Sequence, residues 1–355
     1  MFSQKYFCIA FLMSRGKIWL VWKQEMNNLG KQMRVLAFTV FLGTVFAFGS
    51  GFTILGHRGE TYDHTRGIVE HSFASYDRAI ADDADYIELD LRQSSDGVLV
   101  VSHDETTKRL TGVPDDIRST TWAQLQRLSI SKQEHLHSLE QILTRYARNP
   151  KVRFMIETRS VGGALSMEPK LVNLVKKYGL TSRVYYESFV PNSLARLKVL
   201  QPQVPVLLLV NGGADLTPAF LNHHRWVNSF GPYYEGLSRA EINRVRAQHQ
   251  QIYPWFSNRH EPSDVRSVVG LGVDGIFTNW AFRYTLATRR QPYRRVVSIN
   301  THGRGSVNLL NGEGRYLNHY LHNGTRWRAY YRVYIRGTEL VNIGGDQFIP
   351  QKYLK

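Results

Sequence analysis

Glu88 and Asp90 are the first residues of this chain whose types and spacing suggest chemistry. They sit two apart in the run Tyr86-Ile87-Glu88-Leu89-Asp90-Leu91. In an extended strand such residues face one side, so the two carboxylates project together. Downstream, Asp96-Gly97 precedes a second β-type run, Val98-Leu99-Val100-Val101. An Asp-Gly pair between two such runs predicts a two-residue hairpin. With Asp96 and Gly97 at the turn, Ser95 pairs with Val98 and His103 falls opposite Asp90. Cross-strand partners share a face. Local pairing therefore gathers two carboxylates and an imidazole that titrates near neutrality, a set suited to acid–base chemistry.

The surrounding elements must hold that spot. Short β-branched runs are predicted as strands at 53–56, 85–91, 152–158, 183–187, 204–210, 225–229, 251–256 and 274–278. Helical patterns fall near 70–81, 138–149, 168–178, 191–199, 238–248 and 261–270, with a closing one near 280–288. Eight β segments alternating with helices predict an α/β fold, a (β/α)8 TIM-type barrel. The hairpin is an insertion between its second strand and second helix. A doubly wound open sheet is the alternative, but no glycine-rich dinucleotide fingerprint follows a strand. In a barrel, the end of strand two is where chemistry is kept.

The chain has 355 residues, 45 Lys+Arg and 29 Asp+Glu, for a net charge of +16. With 43% hydrophobic and 21% charged residues, it is neither a disordered polyampholyte nor a multi-span membrane protein. Its single cysteine, Cys8, excludes a disulfide framework and any cysteine-based metal site. A pI near 9.9 ordinarily suggests nucleic acid, an anionic membrane or an acidic polymer as partner. The charge is uneven, however. Residues 1–34 carry six basic and one acidic residue, 35–288 carry 27 and 25, and 289–355 carry twelve and three.

Residues 35–55 are uncharged and follow Lys31 and Arg34. Once 53–55 are assigned to the first strand, 35–48 would make about 21 Å of helix, short against a hydrocarbon core of about 30 Å. A positive flank, a short apolar run (35–51) and Ala47-Phe48-Gly49 describe a cleaved signal peptide, with a retained N-terminal membrane anchor as the alternative. Met26 and Met33 are candidate starts. Either reading places the body in the extracellular space or cell envelope.

Several segments together carry a resemblance. Gly56-His57-Arg58-Gly59, the stretch 69–104, Ile156-Glu157-Thr158-Arg159, Ser188-Phe189 and the stretch 272–279 resemble the glycerophosphodiester phosphodiesterase family, over roughly 53–288. The resemblance implies that Glu88, Asp90 and Glu157 hold a divalent metal; three carboxylates suit the hard cations Ca²⁺ or Mg²⁺. It implies that His57 and His103 act as the acid–base pair, with His57 as acid and His103 as base, an order the sequence leaves open. It implies that Arg58 holds the phosphate. Arg159 stands where the family usually has Lys, and either touches phosphate or pairs with a ligand carboxylate. Glu70 remains from the family's PENT segment, to orient Arg58 or sit near the metal, while His71 replaces its Asn. Trp255 matches a tryptophan that floors the glycerol site. Trp280, where the family often has Pro, either lines the alcohol pocket or packs the last helix.

Residues 289–294 read as a linker and 295–355 as a small all-β module, from its Gly/Asn turns between short aliphatic and aromatic runs. Residues 321–354 resemble the surface-layer-type wall domains of lactobacilli. Arg326, Arg328, Arg332 and Arg336 interleave with Tyr330, Tyr331 and Tyr334. Given export, an anionic cell-wall polymer of the teichoic acid type fits this face better than nucleic acid. The expected activity is hydrolysis of a glycerophosphodiester to glycerol phosphate and an alcohol, through a cyclic phosphate formed by the substrate's own hydroxyl. The alternatives are a phospholipase D-like or teichoic-acid-directed phosphodiesterase, and a catalytically inactive wall-binding protein.

Overall fold

The computed structural model describes residues 13–14, 17–18, 51–61, 67–159, 164–257, 261, 265–303 and 305–355. The chain divides into two compact units, Met1–Gly49 and Ser50–Lys355. In the first, Met13–Ser14 pairs antiparallel with Lys17–Ile18. The apolar stretch expected to be a signal or anchor lies, up to residue 50, outside the described residues. Among the described residues no helix is long and apolar enough to cross a membrane.

The second unit starts with β1 (Thr53–Gly56), β2 (Tyr86–Gln93) and β3 (Leu99–Val101). It continues through β4 (Phe154–Thr158), β5 (Val184–Ser188), β6 (Val206–Val210), β7 (Ser229–Pro232), β8 (Gln251–Ile252) and β9 (Gly275–Thr278). Apart from β3, these strands run parallel in the order β8-β7-β6-β5-β4-β2-β1-β9. Asp274 N donates to Ile252 O at 3.0 Å and Phe277 N to Pro254 O at 3.1 Å, which brings the two ends together. The result is a nearly closed eight-stranded barrel, as the alternation predicts.

Among the described residues, the helices that wrap it are α1 (Phe73–Ala81), α2 (Leu139–Tyr146), α3 (Met167–Lys177), α4 (Pro191–Leu200), α5 (Pro218–His223), α6 (Arg239–Ala247), α7 (Val265–Leu271) and α8 (Ala281–Thr288), with single turns of helix at Lys108–Thr111 and Trp122–Leu125 after β3. Their starts are written in the sequence. Ser138 with Gln141 and Ser238 with Glu241 form capping boxes, and Ser72 accepts from Ser75 N. β6 is buried along its whole length, as expected of a parallel strand covered on both faces. Inside the barrel Leu55, Met155, Tyr185, Leu207, Leu209, Tyr253 and Phe277 form an apolar plug.

Four expectations need correction. Strand six is β7 at 229–232, not 225–229. The missed helix α5, capped by Thr217 with Pro218 in its first turn, displaces it, and Asn228 Oδ1 instead accepts from Val206 N. β8 is two residues long because Pro254 has no N–H to continue the ladder. The hairpin register is shifted by one: Leu91 pairs with Val101, and Ser102 N donates to Asp90 O, so Asp90 does not face His103. The turn holds three residues, Ser95-Asp96-Gly97, with Ser94 pairing Val98 and Gly97 at φ +86°. A three-residue loop with glycine in the left-handed region is the next commonest hairpin, and Asp-Gly does not distinguish it from the two-residue form. Finally, the expected linker 289–294 is largely strand: β10 (Gln291–Ser298) starts directly after α8. Pro292 is accommodated because β10 lies at a sheet edge.

With β11 (Ser306–Leu310), β12 (Tyr316–His322), β13 (Arg326–Ile335), β14 (Thr338–Gly344) and β15 (Gln347–Pro350), β10 forms a six-stranded antiparallel sheet. The sheet has its own core around Val297, Leu309, Val341 and Ile349. A second apolar cluster joins it to the barrel: Trp280, Phe282 and Leu286 pack against Val333, Ile335, Leu340 and Phe348. Trp280, 4% exposed, thus packs the last helix against the sheet. Beside this cluster Arg336 pairs with Asp82, which is fully buried at the end of α1, and Arg336 N donates to Ala81 O.

Candidate active site

The turn after β1 builds one wall of the site. Arg58 and Gly59 both take positive φ, +54° and +87°. Left-handed backbone costs a non-glycine residue about 1–2 kcal/mol. Three local bonds oppose that cost: Arg58 N donates to Glu88 Oε2 at 2.7 Å, and Arg58 O accepts from His71 N and Ser75 Oγ, both at 3.0 Å. Gly59 permits no side chain, since a Cβ there would lie 2.3 Å from Ser75 Oγ. The turn is thereby locked onto the start of α1, and His57 and Arg58 project from a rigid base.

Glu88, Asp90 and Glu157 are 2%, 1% and 5% exposed, and their ligand oxygens lie within 4.8 Å of one another. Glu88 and Asp90 come from β2 and Glu157 from β4, where it is in register with Asp90. Burial and the neighbouring Asp90 push Glu88 and Glu157 well above the usual carboxylate range. Burial also opposes the charge of Asp90, but Arg159, His71 and Arg58 hold it well below that range. Three clustered hard oxygens, two of which resist ionisation together, fit a divalent cation that would relieve their repulsion.

Arg159 donates to Asp90 Oδ1 at 2.8 Å and to Glu157 Oε2 at 2.9 Å. Of its two expected roles, it takes the carboxylate-pairing one here. His71, in place of the family's Asn, bridges Asp90 at 3.0 Å and the Tyr76 hydroxyl at 2.8 Å. Glu70 does orient Arg58, at 3.3 Å. Arg58 Nε also lies 3.3 Å from Asp90 Oδ2, though not aligned for a hydrogen bond.

The hydrogen-bond network fixes the tautomer of each histidine. Glu261 accepts from the backbone N–H and the side-chain amide of Asn279, which leaves Asn279 Oδ1 to face His57 Nδ1 at 3.2 Å. That Nδ1 carries the proton, and Nε2 keeps its lone pair. His103 Nδ1 meets Asp104 Oδ1 at 2.7 Å, with the same consequence. Burial, then Arg58, lowers His57 to about 3. Burial also lowers His103, with Arg58 and Arg159 adding to it and Asp90 opposing. Arg109 bridges Asp104 and Glu70, at 2.6 Å each, and so ties the His103 loop to the Arg58 turn. His103 reaches the site despite the register correction because it lies past the end of β3, where its carbonyl is held by Arg92 at 2.7 Å.

These groups line one cavity of about 630 Å³ with Phe189, Leu209, Trp255 and Phe277. The Trp255 indole N–H donates to Val210 O at 3.2 Å and Gly231 O at 3.1 Å, so the ring forms apolar wall. All nine expected site residues fall in this cavity or directly behind it: Glu70 supports Arg58, and Asp90 lies under Arg159.

The family model for glycerophosphoryl diester phosphodiesterases matches residues 57–281. The chain belongs to that family. A glycerophosphodiester phosphodiesterase of Bacillus subtilis is 29% identical over 251 residues, 64% of this chain and 83% of that protein. A glycerophosphodiester phosphodiesterase structure from Parabacteroides distasonis superposes with a TM-score of 0.55 at 26% identity, over 66% of this chain and 95% of that one. A phosphodiesterase from Oleispira antarctica, solved with the product sn-glycerol-3-phosphate, shares the fold at TM-score 0.55 and 18% identity, over 65% and 94% of the two chains. These similarities concern the barrel.

Sequence reasoning missed Arg109, Asn279, Glu261 and Glu187. The first three act by contacts between segments far apart in the chain, which no local pattern reveals. Glu187 did leave a signal: an acid in Val184-Tyr185-Tyr186-Glu187-Ser188, a strand buried on both faces.

Proposed function

We propose that the protein is a divalent-metal-dependent phosphodiesterase that hydrolyses glycerophosphodiesters to glycerol phosphate and an alcohol. One observation supports the reading: two histidines of fixed tautomer and a locked arginine share one cavity with Glu88 and Glu157, and Asp90 lies directly behind, its oxygen close to theirs. Glu88, Asp90 and Glu157 would hold Ca²⁺ or Mg²⁺, which when bound supplies Lewis-acid polarisation of the phosphoryl oxygen and of the attacking hydroxyl. Arg58 binds the phosphate and faces charge that builds in the transition state. His103, oriented by Asp104, accepts the proton of the attacking glycerol hydroxyl at Nε2. His57, oriented by Asn279, donates to the leaving alkoxide, and the roles reverse as water opens the cyclic phosphate. In the free protein His57 is held neutral, so its Nε2 first takes up a proton beside the anionic phosphodiester, and this is the proton passed to the leaving alkoxide.

We also propose that the protein works in the cell envelope or outside the cell, and that 295–355 holds an anionic wall polymer. The support is the outer face of β13, where Arg326, Arg328, Tyr330 and Tyr334 are exposed.

The deciding experiment is steady-state hydrolysis of glycerophosphocholine, a lysophospholipid and purified teichoic acid with Ca²⁺ or Mg²⁺. Turnover of the first with release of glycerol phosphate is expected. No turnover of any of them with either metal would end the enzyme reading.

A further inference from the structure

Glu187 projects into the barrel on β5, in register with Glu157, which is itself in register with Asp90. A row of three acids thus crosses three adjacent strands, followed by Leu207 on β6. Glu187 is 1% exposed and lines the cavity. It stands apart from the metal-type cluster, whose close-set oxygens come from Glu88, Asp90 and Glu157 alone among the described residues. Arg159, the nearest long cation, spends its hydrogen bonds on Asp90 and Glu157. Among the described residues Glu187 Oε2 therefore meets no donor at all. Phe189, Leu209 and Trp255 line the same cavity.

A buried carboxyl beside three other acids, with no partner for one oxygen, destabilises the free protein. Stability alone would favour Leu or Gln at this position. Such a local cost is typical of residues that answer to a ligand. The chemistry of that ligand is restricted. Burial, with Glu88, Glu157 and Asp90 beside it, holds the Glu187 carboxyl well above the usual range, so its fitting partner both donates and accepts, as a hydroxyl does. A phosphate diester offers no donor and is an anion set among those acids. A quaternary ammonium offers no N–H. A hydroxylated alkyl group supplies donors to the carboxyl, and its carbon skeleton can lie against Trp255 and Phe189.

We propose that Glu187 is the specificity residue for the glycerol moiety and binds its free hydroxyl through Oε2, one step along the cavity from the phosphate held by Arg58. The proposal rests on the phosphodiesterase reading and adds the group by which a glycerol ester is told from other phosphate esters. Glu187 touches the glycerol rather than the metal.

The test compares sn-glycerol 3-phosphate with n-propyl phosphate, which has the same carbon chain without hydroxyls. Both are titrated against the Ca²⁺-loaded full chain in wild type, Glu187→Leu and the isosteric Glu187→Gln. The wild type should bind glycerol phosphate at least tenfold more tightly than propyl phosphate. Glu187→Leu should lose that preference through weaker glycerol phosphate binding, with propyl phosphate unchanged or tighter. Glu187→Gln, which keeps one acceptor, should retain part of it. Both variants should bind Ca²⁺ as the wild type does and melt at higher temperature. Equal losses for both ligands, a parallel loss of Ca²⁺ affinity, or a lower melting temperature in both variants would each overturn the proposal. Wild-type protein that cleaves glycerophosphocholine while Glu187→Leu keeps the preference would refute this inference and leave the phosphodiesterase reading intact. Wild-type protein that cleaves no glycerophosphodiester would refute the reading itself.

Discussion

Two regions of this molecule gather arginines, and they use them in opposite ways. In the barrel, Arg58 and Arg159 are largely buried and held by carboxylates that fix their position. On β13, Arg326 and Arg328 are exposed and form no ion pair among the described residues. A guanidinium held by buried acids has little freedom, so it can meet one phosphate in one geometry. An exposed one can follow any anion, and salt screens it over about 10 Å at 0.1 M. The overall charge of +16 hides this difference, because the barrel arginines are cancelled by neighbouring acids.

Four experiments would break or sharpen the contrast. The largest effect is expected inside the barrel: Arg58→Ala should lower kcat/KM by about 10²–10³, and His103→Ala should lower kcat by about 10²–10⁴ with Ca²⁺ binding by calorimetry unchanged. A His103→Ala enzyme with normal kcat would remove the acid–base assignment.

Metal should have the next largest effect, and a pH dependence exposes it. Glu88 and Glu157 have folded-state pKa values raised by burial and by Asp90. Each therefore stabilises the fold below its unfolded pKa, and that contribution is lost as pH rises through its folded value. His57 is lowered, so the stability it lends is complete above 6.5 and lost on acidification toward 3. Urea midpoints of EDTA-treated protein should decline as pH rises through the raised folded values of these two carboxyls. Saturating Ca²⁺ should flatten that decline and add about 2.7 kcal/mol at a hundredfold excess over Kd. A flat metal-free profile would contradict the crowded-carboxylate picture.

A third test addresses the contact between the two regions. Arg336→Ala removes one of the two guanidinium groups that pair with buried Asp82, leaving Arg78 at 2.9 Å, and should cost about 2 kcal/mol in urea denaturation, less than a fully broken buried pair. Turnover of a small diester should not change. The smallest effect belongs to the outer face: Arg326→Ala/Arg328→Ala should leave stability and small-diester turnover within error. It should reduce adsorption to purified teichoic acid about tenfold at 0.1 M salt, and equal adsorption would show that the held polymer lies elsewhere.

Much of the barrel was legible because its signals are local. Alternating runs place strands to within a few residues, and Ser138, Ser238 and Thr217 each mark a helix start. Glu88 and Asp90 share a face by period alone, which held even though the hairpin register slipped. His103 survived that slip only because it lies beyond the paired segment. What stayed hidden is relational. Asn279 orients His57 from the far end of the barrel chain, and Arg109 links the loop after β3 to the loop after β1 across 39 residues of sequence. The sheet's attachment was hidden for a similar reason: Pro292 reads as a break unless the strand is known to lie at an edge.

The short helix α1 connects the two regions in one further sense. Its first turn grips the catalytic loop through Ser75, and its last residue abuts Asp82, which grips the sheet through Arg336. Nine residues of helix make a strut about 13 Å long. If the sheet is moored to a wall and the wall moves, tension enters the barrel at the foot of that strut. The head of the strut holds the Arg58 turn, so mechanical load would reach the residue proposed to bind phosphate along one lever arm.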